Sequence, residues 1–129
     1  MPLRWPNVFG RGGGQRQHGP GVRRDRPATA GTDRVGHWPV PHLVVTRGGA
    51  GVTLVAGDTA VDVPATAVAP IDTTGAGDVF AGVLAASWCA MPPEAAVRRA
   101  AAAGALATLI PGAGDCAPTP EMIEDALSR

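Results

Sequence analysis

At Pro41 the chain changes character, and this break limits the possible folds more than any other feature of the sequence. Residues 10–39 run through Gly, Arg, Gln, Pro and Thr with no helical or strand period. From His42 onward, short β-branched runs alternate with turn residues, and long Ala-rich stretches follow. The chain has 129 residues, enough for one ordinary domain and too few for two. Residues 1–39 therefore read as an irregular Arg/Gly/Pro-rich segment and residues 40–129 as the folded portion.

Within that portion, residues 42–46 form a short β-branched run that ends at Gly48 and Gly49, which reads as a buried strand. Residues 52–56 read as a second strand, followed by the hairpin signal Gly57-Asp58. Residues 60–63 read as a third, stopped by Pro64, and residues 64–71 as a Pro-bounded connector. Val79, Val83 and Ala86 carry helical spacing through a helix from Gly75 to Ala90. Pro92, Pro93 and Glu94 restart a helix that runs to Leu109 and stops at Pro111-Gly112. Thr119, Pro120 and Glu121 supply an N-cap, a first-turn proline and an early acid for a last helix ending at Leu127. The order is strands, then helices, an α/β arrangement with the site between them.

The formal net charge is zero, but the total conceals a split. Residues 1–40 carry seven Arg and two Asp, whereas residues 41–129 carry four Arg and nine acids. Every basic residue is Arg. The basic segment has aromatics only at its ends (Trp5, Phe9 and Trp38), so it reads as a tail and no nucleic-acid partner is expected. Pro2, Arg4 and Pro6 interrupt any apolar signal core, and no run approaches a membrane span. The expectation is a cytoplasmic protein without a membrane partner. Cys89 and Cys116 form no spaced motif and read as reduced, structural thiols.

The chemistry concentrates at Gly75-Ala76-Gly77-Asp78. Small residues directly before an apolar helix let the backbone approach a ligand. The unpaired amides of a helix start, with the positive end of its dipole, favour an anion. Asp78 lies inside the same turn, where the dipole favours its carboxylate and where it could take a proton from a nearby hydroxyl. An anion hole beside a base is what phosphoryl transfer to an alcohol requires. The same four residues are also compatible with an ordinary helix start, at which Asp78 only complements the dipole. The turn is not a P-loop, which ends in Gly-Lys-Ser/Thr, nor a dinucleotide fingerprint, which needs a third glycine.

The longer string from Asp72 to Gly82 resembles the second signature of the ribokinase-like (PfkB-type) carbohydrate kinases. The resemblance implies that residues 40–129 are the C-terminal, nucleotide-binding portion of that α/β fold, short strands followed by helices packed on the sheet. It implies that Gly75, Ala76 and Gly77 form the anion hole and that Asp78 is the catalytic base. Residues 46–51 resemble the family's T-x-G-x-x-G strand end, which implies nucleotide contacts at Thr46, Gly48 and Gly51. Asp72, Thr74, Ala107, Gly112 and Cys116 fall where the family binds a monovalent cation such as K+, largely through backbone oxygens. Gly112, Ala113, Pro118 and Thr119 are similar to the family's closing G-A…P-T segment. The implied cofactors are ATP and Mg2+ with K+, and the implied partners are ATP or ADP and a sugar or nucleoside hydroxyl. Where the family often places Asn or His near adenine, residues 98–101 are Arg, Arg, Ala and Ala.

The family also has an N-x-x-E motif upstream, and Asn7 stands near the corresponding separation from Thr46, with Gly10 at the Glu position. This mismatch motivates the expectation that residues 8–39 are read in a shifted frame. Because the sugar contacts of the family lie upstream of the matched region, the chain is expected to be a weak or inactive fragment of a kinase. The alternatives are a non-catalytic nucleotide-binding module and a gene remnant.

Overall fold

The computed structural model describes residues 40–129. The irregular segment, Asn7, Gly10 and the frame expectation for residues 8–39 lie outside the described residues. The chain order is β1 (His42–Thr46), a 3-10 turn (Gly48–Ala50), β2 (Val52–Ala56), β3 (Thr59–Val63), α1 (Ala76–Ser87), α2 (Pro93–Ala107) and α3 (Pro120–Ser128).

The three strands form a sheet in the order β1-β2-β3, antiparallel throughout. The register runs from His42 opposite Ala56 to Thr46 opposite Val52, and from Val52 opposite Val63 to Ala56 opposite Thr59. The connections dictate this direction, and for β2 and β3 the hairpin signal Gly57-Asp58 indicated it. Residues 47–51 and 57–58 are too short for a parallel crossover, which needs about a dozen residues or more. Gly57 takes a φ of 57°, the left-handed value a tight hairpin turn requires. The strands also differ in burial. Val52, Thr53, Leu54 and Val55 of β2 are all buried, as expected of a central strand, whereas on β3 only Val63 is.

The helices hold together through small residues. Ala96, Val97, Ala100 and Ala103 of α2 are completely buried, and Gly104 lies among them. A side chain at Gly104 would meet the Ala76 carbonyl oxygen at 3.2 Å and Phe80 Cβ at 3.4 Å. The α1 helix therefore crosses α2 at close range just above its own first turn. Phe80 and Leu84 of α1 join Val52, Leu54, Val63, Ala96, Val97 and Ala100 in one core, which seals the sheet against the helix pair. Ile123 of α3 packs on Ala102 and Ala103 in a second, smaller cluster.

The helix limits follow local chemistry. The α1 helix stops at Ser87, short of Ala90, because Pro92 and Pro93 lack amide donors and the chain closes in turns on Ser87. The α2 helix ends at Ala107, and Thr108 closes it by returning its hydroxyl to the Ala105 carbonyl at 2.6 Å. At the start of α3 the Thr119 hydroxyl accepts the Met122 amide, and Pro120 occupies the first helical position, as the sequence indicated. No helix among the described residues is long and apolar enough to cross a membrane.

Candidate functional site

The site is assembled where the connector meets α1. Residues 64–75 leave the sheet, and the amides of Ile71 and Asp72 both donate to the Thr108 carbonyl at the end of α2, at 2.7 and 3.0 Å. Asp72 then reaches across with both carboxylate oxygens. Oδ1 accepts the Thr74 amide and Oδ2 accepts the Gly112 amide, each at 2.9 Å. The Thr74 hydroxyl, the Gly112 amide and the Thr74 amide hold the Asp72 carboxyl far below its ordinary 3.8, at about 2. Hydrogen bonds donated to the ionised form cause this depression, so Asp72 is an anion at any physiological pH.

Gly75 follows with φ 81° and ψ −8°, a left-handed conformation that turns the chain into α1. It also lies against the loop after α2. A Cβ at Gly75 would approach Ala113 Cα at 3.2 Å and Ala113 Cβ and Cys116 Sγ at 3.3 Å. Among the described residues no side chain caps α1. The Ala76 amide returns to the Thr73 carbonyl at 3.3 Å, and the next amide with a partner is that of Val79, on Gly75. Among the described residues the amides of Gly75, Gly77 and Asp78 have no protein acceptor. The open donors are thus Gly75, Gly77 and Asp78, while Ala76, which the sequence grouped with the two glycines, has its amide turned back. Asp78 is the third residue of α1 and exposed, and its carboxylate makes no ion pair among the described residues.

The remaining sequence-derived positions fall in two places. Thr46, Gly48 and Gly51 surround the turn between β1 and β2, where Arg47 donates its amide to the Gly51 carbonyl at 2.8 Å. Gly51 has φ 91° and ψ −152°, and a Cβ there would lie 2.3 Å from the Val63 carbonyl oxygen. Only glycine lets this turn settle on the end of β3. Arg47 pairs with Asp62 at 2.8 Å, and the Thr53 hydroxyl donates to the same Asp62 oxygen at 2.6 Å. Gly112 and Cys116, by contrast, join the Asp72–Asp78 turn. Cys116 is buried beneath it with its thiol turned to the Ala113 carbonyl at 3.7 Å. Ala107 is buried in the last turn of α2, and its carbonyl accepts the Ile110 amide.

A hard monovalent cation is matched by oxygen donors, and Asp72 and Thr74 supply them on one side of this constellation. A thiol is a poor donor for such an ion, so Cys116 would contribute only through its main chain. Among the described residues no group of three or more His, Cys, Asp or Glu is placed to hold a metal. Of residues 98–101, Arg98 is paired with Glu94, Arg99 with Glu124, and Ala100 is completely buried. Sequence reasoning missed Thr108, which acts through its backbone carbonyl, so no residue-type pattern marks it. It placed Ala113 in the closing segment but not as the surface against Gly75.

The profile of the pfkB family carbohydrate kinases matches residues 26–120. The chain belongs to this family. The match begins inside the segment read as irregular and spans every described strand and both long helices. The chain is 39% identical over 87 residues to the ribokinase of Bacillus subtilis (strain 168), covering 67% of this chain and 30% of that protein. Its fold resembles the ribokinase of Thermotoga maritima with a TM-score of 0.66 at 35% identity, over 70% of this chain and 31% of the other. It also resembles the fructokinase of Vibrio cholerae O395, in its fructose-, ADP- and calcium-bound form, with a TM-score of 0.70 at 31% identity, over 79% and 35%. The pfkB-family chain thus spans about a third of the length of these relatives.

Proposed function

We propose that residues 40–129 form the phosphoryl-transfer end of an ATP-dependent kinase acting on a sugar or nucleoside hydroxyl. The observation that carries this reading is the turn itself. Three amides without acceptors among the described residues, those of Gly75, Gly77 and Asp78, stand at the positive end of α1 beside the Asp78 carboxylate, in a pfkB-family chain. In this reading the Asp78 carboxylate takes the acceptor hydroxyl's proton as its oxygen attacks the γ-phosphorus of ATP. The bond to the β–γ bridging oxygen breaks, and ADP leaves. The open amides stabilise charge on the transferred phosphoryl group. Thr46, Gly48 and Gly51 would lie along the nucleotide. Asp72 and Thr74, with backbone oxygens of Ala107, Gly112 and Cys116, would hold a monovalent cation that adds positive charge near the phosphates. Magnesium would enter with the nucleotide, bound to its phosphates. The proposed location is the cytoplasm.

The test is a coupled ADP-release assay with ribose, fructose and adenosine, alongside ATP calorimetry. ATP binding together with turnover that disappears in Asp78→Ala supports the full reading. A second reading is a module that binds nucleotide with weak or absent transfer. It predicts calorimetric binding without ADP release. A chain that binds no nucleotide refutes both.

A further inference from the structure

We propose that the Asp72 carboxylate is a positioning residue, which fixes the direction of the Gly75–Asp78 amides by tying their turn to Gly112. The inference rests on the functional reading above and adds a residue that acts through others. Inside the turn a single hydrogen bond, from the Ala76 amide to the Thr73 carbonyl, holds the backbone. Its N-cap is Gly75, which has no side chain, and among the described residues no side chain caps α1. Contacts from outside the turn therefore help to set where the open amides point.

The loop after α2 does so through three attachments. The Thr108 carbonyl holds the backbone at Ile71 and Asp72. Ala113 and Cys116 form the surface on which Gly75 rests. The Asp72 carboxylate joins the two loops over 40 residues of sequence, one oxygen on each side. Of these, the carboxylate alone is a charged side chain engaged on both loops at once. Its hydrogen bonds are charge-assisted, and they leave neither oxygen without an amide donor. Binding at the amides should therefore be felt at Gly112, which lies outside the α1 turn.

The carboxamide introduced by Asp72→Asn could accept from only one of the two donors, because its nitrogen would face the other as a second donor. The experiment uses the whole chain and inorganic tripolyphosphate, read by calorimetry and by amide NMR at Gly75, Gly77 and Gly112. In the wild type, tripolyphosphate binds and shifts all three resonances. In Asp72→Asn the cooperative melt persists, affinity falls about tenfold, and Gly112 no longer follows the titration. If Asp72→Asn melts without cooperativity, Asp72→Ser, which keeps one short acceptor, is read the same way. Unchanged affinity, or weakened affinity with Gly112 still following, overturns this inference and leaves the functional reading standing. No binding by the wild type overturns both.

Discussion

Replacing Gly75 with Ala separates two costs that the turn imposes on its first residue. The new Cβ would sit in a left-handed conformation, φ 81°, which costs an L-residue about 1–2 kcal/mol. It would also stand 3.2 Å from Ala113 Cα and 3.3 Å from Ala113 Cβ and Cys116 Sγ. One of those atoms is backbone and another is a fully buried thiol, so neither yields freely, and overpacking of this kind costs about 1–3 kcal/mol more. Alanine stiffens the unfolded chain and returns about 0.4–1 kcal/mol. The net expectation is a loss of about 2–4 kcal/mol, a large share of the roughly 5–15 kcal/mol that holds a domain folded. Gly112 supplies the control. Its φ is 90°, but nothing lies within 4 Å of the Cβ that an Ala would add. Gly112→Ala therefore carries the backbone cost alone, about 1 kcal/mol after the same unfolded-state gain. Urea titrations of both variants, followed by far-ultraviolet circular dichroism, read the difference directly. If the two variants lose equal stability, the packing of Gly75 on Ala113 and Cys116 contributes nothing, and the argument that the α2–α3 loop seats the turn fails.

Three further outcomes follow from the same structure. Val97 is completely buried in the core, and Val97→Ala should cost about 2–3 kcal/mol by the same titration, from two lost methyl groups and the cavity they leave. Asp72 has a folded pKa of about 2, lowered from 3.8, so its contribution is complete above the unfolded value and disappears as pH falls from about 4 to 2. Urea midpoints over that window should decline less steeply in Asp72→Asn than in the wild type, and parallel declines would remove Asp72 from the acid response. Thr119→Ala removes the α3 cap on the Met122 amide and should lower stability by about 1 kcal/mol, measured by thermal melting against the wild type.

The sequence by itself determined the elements and the chemistry of the turn. Every described strand and helix was legible to within a few residues, because period, proline and glycine act on their immediate neighbours. Gly57-Asp58 announced the hairpin, and Thr119-Pro120-Glu121 announced α3. The run from Asp72 to Gly82 carried the family resemblance in consecutive residues, which needs no knowledge of the fold. Strand direction was legible as well, because residues 47–51 and 57–58 are connections too short for anything but antiparallel pairing. Which amides of the turn stay open was decided in three dimensions. Ala76 returns its amide to Thr73, and Gly75, Gly77 and Asp78 do not. The tie from Asp72 to Gly112, the double acceptor at Thr108 and the seat at Ala113 depend on α2 carrying the chain back alongside α1. That return is set by the close crossing at Gly104, where a missing side chain brings the Ala76 carbonyl within reach. Contacts between residues so far apart in sequence leave no local pattern, so they exist only once the two helices have packed.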